Sequence, residues 1–218
     1  NTTVHQKITS KRSLVYHTWI TFSETMFGFL LGTSLGILLA ITIVHNRATA
    51  ISVMPWIITS QTIPILALAP MIVVALGSAG FSGLLPIAII SMYLSFFPVV
   101  VGMVKGLRSP ESLELDQMKT WSASGPQVLM KLRLPKSMPF FFTSLKLGMA
   151  AALVGAIVGE LPSGGGGGLG FRMLSGSTFG NTLHIWSGLF SAAVLAASLI
   201  TFIGILQKVI LKKMALEL

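Results

Sequence analysis

The side chains able to do chemistry in this chain are few and scattered. His5, His17, His45 and His184 show none of the short spacings that hold a metal ion, and no carboxylate is spaced from them as a further ligand. With no cysteine at all, thiolate nucleophiles, zinc knuckles, iron–sulfur ligation and disulfides are excluded together. Of six acidic residues, Glu24 and Glu160 alone lie beside long apolar stretches, each at a predicted end. The paired intramembrane acids of an aspartyl protease or a proton-driven carrier are therefore not expected. Glu160 reads either as an interfacial group or as part of a gate or path. The run Gly164 to Gly168 followed by Leu169-Gly170 contains a formal G-x-G-x-x-G at Gly165, Gly167 and Gly170. It follows an apolar stretch instead of a strand and lacks the Lys-Ser or Lys-Thr of a phosphate loop, so nucleotide binding is not expected here. Its glycines offer flexibility and close backbone approach. Gly164, Gly166, Gly168 and Gly170 thus belong either to a loose external linker or to an outer gate loop.

The elements that carry these residues are apolar helices. The 218-residue chain is 53% hydrophobic and only 10% charged, against about 25% charged in an ordinary soluble domain. Its mean hydropathy is +0.83. Stretches near the 20 or so residues needed to cross the hydrocarbon cover roughly 24–44, 53–76, 83–104, 139–160 and 184–206. The fold class is all-α, a polytopic membrane protein with five spans. In the first span Gly28, Gly32 and Gly36 repeat every four residues, a stripe that lets another helix approach closely. Pro55, Pro64, Pro70, Pro86 and Pro98 interrupt the second and third. Such kinks suit a transport path or merely shape packing.

Two connections are long. One is a polar stretch from Gly106 to Phe140, with its loop proper at 106–138; the other is the glycine-rich segment at 161–183. Ser109-Pro110 with Glu111 reads as a helix start, and Ser124-Gly125-Pro126 as a second. Two short helices over about 111–122 and 126–134 are predicted to lie on the membrane surface. Ten of the fifteen basic residues occupy three segments: Arg47 after span one, the polar loop, and Lys208, Lys212 and Lys213 after span five. Five spans put all three on one side, which the positive-inside tendency assigns to the cytoplasm. The +9 net charge therefore reads as orientation, not as affinity for nucleic acid. Lys7, Lys11 and Arg12 run against that trend, and a chain starting with Asn suggests one further span before it, making six. Residues 1–22 are expected to form an interfacial segment, with Trp19 and Lys11 or Arg12 as anchors.

The polar loop holds the most information. Asp116-Gln117-Met118, three residues, Ser122, nine residues, then Leu132-Arg133-Leu134-Pro135 resembles the loop of permease subunits in bacterial binding-protein-dependent ABC importers. That pattern is Glu-Ala-Ala, three residues, Gly, nine residues, Ile, one residue, Leu-Pro. Every spacing is preserved, although only Leu-Pro is identical and Ser122 replaces the glycine. Gln61-Thr62-Ile63-Pro64 with Ala67-Leu68-Ala69-Pro70, and Gly159-Glu160 before Gly168-Leu169-Gly170, are similar to the sulfonate, nitrate, taurine and vitamin-precursor branch.

The resemblance implies a transport subunit without catalytic residues or a cofactor of its own, ATP and Mg being held by a partner ATPase. It implies a bacterial cytoplasmic (inner) membrane location. It also implies a second permease subunit, as in a homodimer, two ATP-binding cassette subunits and a substrate-binding protein. Asp116, Gln117, Met118, Ser122 and Gly125 would dock the ATPase. Gln61, Thr62, Ser91, Tyr93, Ser95 and Glu160 would line the path, unless the hydroxyls only bond their own backbone. The sparse charge within the spans favours a nitrogen-heterocyclic solute over a sulfonate or nitrate. The alternative, an ATP-independent carrier or channel, calls for an ionisable relay or inverted repeats, and the sequence shows neither.

Overall fold

A computed structural model describes residues 13–163 and 166–216. Among them there is no strand. The helices are α1 (Leu14–His45), α2 (Arg47–Ser60), α3 (Ile65–Ser78), α4 (Leu84–Leu107), α5 (Ser112–Thr120), α6 (Gly125–Val128), α7 (Leu134–Glu160), α8 (Leu169–Thr178) and α9 (Thr182–Leu216), with a π-helical turn at Leu129–Arg133. Four helices, α1, α4, α9 and the continuous rod Gly125–Glu160, are long and apolar enough to cross a membrane. A fifth span is supplied if α2 and α3, bent by 95° at their junction, count as one.

The core is a three-helix seam with α4 in its middle. Gly28, Gly32 and Gly36 of α1 face Ser91, Ser95 and Val99 of α4 in the same order, so these two helices run in the same direction. From the other side Gly148, Gly155 and Gly159 of α7 meet α4 in descending order, so α7 runs opposite. The expected glycine stripe thus has an identified partner. A Cβ on Gly36 would come 2.8 Å from Val99 Cγ1, and one on Gly155 would come 2.8 Å from Ser91 Cα. Small residues are what allow this approach where lipid supplies no hydrophobic drive between helices. Large apolar side chains such as Trp56, Val74, Leu183 and Val194 point outward, as a bilayer solvent permits.

Five expectations are corrected. Residues 14–22 are not a separate interfacial segment; they are the first turns of α1, which Ser13 caps by accepting the Tyr16 N–H at 3.1 Å. Residues 1–12 lie outside the described part. Glu24 did not mark the end of the span, because it is buried against another helix. The second short helix is not a surface element of its own. Its start at Ser124 is as expected, with a capping box to Gln127, but it runs through the π turn into α7. Pro135 has no N–H for the Lys131 carbonyl, and the Leu134 N–H bonds Leu129 O in a wider turn ahead of it. The segment 161–183 contains α8 and is not loop throughout. The second span is also sharper than a kink. Pro64 disfavours helical conformation at Ile63 and cannot donate, so the chain leaves helix between Ser60 and Ile65.

Candidate functional site

The docking candidates sit on and after α5. Its cap is Glu111 and not Ser109: the Glu111 side chain caps the first turn, and Glu114 Oε2 accepts the Glu111 N–H at 2.8 Å in return. Glu114 also pairs with Lys136 of α7. That hydrogen bond, with the Glu111 N–H as a second contributor, holds the Glu114 carboxyl below the usual carboxylate range. Arg133 donates to Leu107 O at 2.8 Å, tying the end of α4 to the start of α7. The Glu114–Lys136 pair ties the short helix to α7. Asp116, bonded to Lys119 at 2.8 Å, is exposed, as are Gln117, Ser122 and Gly125. Met118 is corrected: it is 8% exposed and turned inward, on the opposite side from Asp116, so it supports the helix and does not present itself to a partner.

Ser122 explains its own place in the motif. It has φ 51°, in the left-handed region, and its N–H bonds Lys119 O at 2.8 Å while the Ala123 N–H bonds Met118 O at 3.0 Å. This paired closure of a helix end favours glycine. Sequence reasoning passed over Leu113 and Trp121, exposed by 76% and 67%. The signal was present: Leu113, Gln117 and Trp121 repeat every four residues and form one stripe of α5.

The path candidates separate into groups. Tyr93 donates its hydroxyl to Ser60 O, and Gln61 Nε2 donates to Ser60 Oγ at 3.3 Å, which gathers Gln61, Thr62 and Tyr93 at the α2–α3 bend. Thr62 bonds its own helix at Thr59 O, 2.8 Å away. Ser91 and Ser95 are not with them. Both are 0% exposed in the glycine seam, Ser91 donating to Ala152 O at 2.8 Å and Ser95 to Met92 O at 3.1 Å. Nothing solvated can touch them in this arrangement, because α1 and α7 close over them.

Glu160 stands apart again, at the far end of α7, 0% exposed. Thr21 donates to its Oε1 at 2.5 Å and the Gly170 N–H to its Oε2 at 2.5 Å. The Leu169 N–H reaches Thr21 Oγ1 at 2.9 Å, and the Gly168 N–H reaches His17 Nδ1 at 3.0 Å. Glu24, 3% exposed, is buried beside Glu160, and its Oε2 meets no hydrogen-bond donor. The expectation that paired acids are missing is therefore overturned: α1 and α7 bring together two glutamates that sequence distance concealed. Gly168 and Gly170 are pinned over this cluster, since a side chain at Gly168 would occupy the Glu160 carboxyl and one at Gly170 the Ile157 carbonyl. Gly168 also has φ 99°. Gly166 precedes the pinned part, and Gly164 lies outside the described residues.

A second intramembrane charge was missed altogether. Lys146 lies within α7 and donates to Gln207 Oε1 of α9 at 2.6 Å. A lone lysine inside an apolar run was the available signal. Among the described residues no group of three metal-capable side chains occurs.

Residues 32–216 match the family model described as binding-protein-dependent transport system inner membrane component. A probable ABC transporter permease protein of Haemophilus influenzae is 33% identical over 78% of this chain and 68% of its own length. The formylaminopyrimidine transport permease protein ThiX of Halalkalibacterium halodurans is 33% identical over 66% of this chain and 56% of its own. An inward-facing structure of the MetNI methionine ABC transporter shares the fold, with a TM-score of 0.75 at 17% identity, over 92% of this chain and 95% of that one.

Proposed function

Because the chain belongs to the family of binding-protein-dependent transport system inner membrane components, we propose that it is one half of a solute pathway driven by a separate ATPase. Two copies enclose the path in the bacterial inner membrane, two ATP-binding cassette subunits hold ATP and Mg, and a binding protein delivers the solute. The observation that carries this reading is α5, an exposed helix with Leu113, Asp116, Gln117 and Trp121 outward, fastened to α7 through Glu114 and Lys136. Because α6 and α7 form one 36-residue rod, about 54 Å long, a displacement imposed at Gly125 is transmitted to Glu160 at the other end. There the Thr21 and Gly170 bonds are positioned to act as an outer gate contact. The ATPase and the binding protein would each favour one conformation, and coupling is no larger than that preference.

A small polar or heterocyclic solute, pyrimidine-like in view of the related permease, suits a chain so sparingly charged; a sulfonate or nitrate is the alternative cargo. The test is a complex purified with its ATPase and binding protein, in which hydrolysis should rise on adding loaded binding protein. Asp116→Arg or Ser122→Trp should abolish ATPase co-purification while leaving the subunit in the membrane. Normal co-purification and normal uptake in both variants would remove the docking assignment. The buried Glu24 and Glu160 pair favours one second reading, an ATP-independent proton-coupled carrier. Uptake that survives ATP depletion but stops with a protonophore would establish it instead.

A further inference from the structure

The α7–α9 groove around Lys146 has no role in the pathway described above. It is about 660 Å3, walled by Ile200 and Leu211 and lined with Lys146, Lys208, Thr201 and Gln207. Gly204 opens it: a Cβ there would come 3.7 Å from both Cε and Nζ of Lys146. Along α9, Trp186 and Lys208 are about 33 Å apart at 1.5 Å per residue, close to the roughly 30 Å of hydrocarbon. With the half-exposed Trp186 at one boundary, Lys208 falls at the other. Lys146, held by Gln207, lies at the same level. Among the described residues neither lysine is paired with a carboxylate. An ammonium has three donors, and Gln207 takes one from Lys146. Two cations without a carboxylate partner therefore meet an apolar wall on the headgroup side of the groove, Lys146 reaching toward Gln207 and Lys208 from within its span. Basic grooves between membrane helices at that depth select anionic headgroups.

We propose that this groove binds an anionic phospholipid, its phosphate between Lys146 and Lys208 and an acyl chain along Ile200 and Leu211. Charge complementarity selects the occupant. A neutral lipid leaves both lysines uncompensated, and a second protein chain would have to supply an acid at this depth.

The test is native mass spectrometry of the full subunit in its assembled complex, titrated with phosphatidylglycerol or phosphatidylcholine of matched chains. Phosphatidylglycerol should be retained preferentially. Near a membrane surface each lysine contributes about 1 kcal/mol, or roughly fivefold in affinity. Lys146→Met and Lys208→Gln should each lower retention by about that factor, Lys146→Arg should keep it, and Lys213→Gln, outside the groove, should not change it. Lys208 is exposed, so its variant reports even where Lys146→Met fails to fold. Equal loss in Lys213→Gln, or no preference over phosphatidylcholine, would overturn the site as a general basic surface. Displacement of the lipid by excess inorganic phosphate would overturn it in favour of a free anion. A loss of retention accompanied by altered subunit stoichiometry would assign the groove to the partner subunit.

Discussion

Replacing Gly32 by alanine tests whether the glycine seam sets the distance between α1 and α4. The added carbon falls inside the van der Waals reach of Ser95 Oγ, and it also lies 3.0 Å from Met92 O and 3.1 Å from the Phe96 N. The backbone contacts ask for a few tenths of an ångström; the hydroxyl asks for much more. Ser95 has no empty space to turn into, being 0% exposed. Overpacking of this kind costs about 2 kcal/mol, which for a chain of this size lowers Tm by roughly 4–8 °C. Ser95→Ala alone should change little, since its hydroxyl bonds only the Met92 carbonyl one turn back. Combined with Gly32→Ala it removes the principal clash, and the double variant should recover more than half of the loss. Thermal unfolding of the detergent-solubilised protein, run as a double-mutant cycle, reads this directly. A double variant no more stable than Gly32→Ala, or a single variant as stable as the parent, would refute the assignment of the clash to Ser95.

Thr21→Val keeps shape but leaves the buried Leu169 N–H without its acceptor and takes one donor from Glu160. At about 1–3 kcal/mol for each unmet group, α8 should exchange its amide hydrogens faster by mass spectrometry while α4 does not change; unaltered exchange over 169–178 would contradict a role for Thr21 in holding the start of α8. Glu114 gives a pH dependence. Its carboxyl is held below the usual value of 4.5 by Lys136, so the tie is fully present above that value and is lost as the pH falls through the lower folded value. Trp121 fluorescence should report α5 loosening only on that acid side. In Lys136→Met the transition should move up toward the usual carboxylate range, and an unmoved transition would dissociate Glu114 from the helix attachment.

The approximate placement of the apolar stretches, the polar loop and the helix start at Ser124 were legible because burial in lipid is recorded as uninterrupted hydropathy and a cap is written locally. The family resemblance of the loop was legible through spacing alone, and the glycine stripe because four-residue periodicity places small residues on one face. What sequence could not supply was partnership. Glu24 was read as the edge of a span because a carboxyl normally stops one; only the proximity of α1 and α7 shows it beside Glu160, across a separation no local pattern spans. Ser91, Ser95 and Tyr93 are neighbours in sequence, yet a helical turn sends the serines into the α1–α7 seam and the tyrosine to the α2–α3 bend. Met118 and Asp116 divide in the same way on α5.

By itself the sequence determined that this chain dissolves in a bilayer, which segments gather positive charge, and where its long polar loop lies. Those properties follow from composition and period, which act locally. The tertiary structure alone decided which polar groups meet: Thr21 with Glu160, Lys146 with Gln207, Glu114 with Lys136. The reason is that in lipid an isolated polar group is costly and must be paired, while the identity of its partner depends on helix register and crossing, not on anything adjacent in the chain.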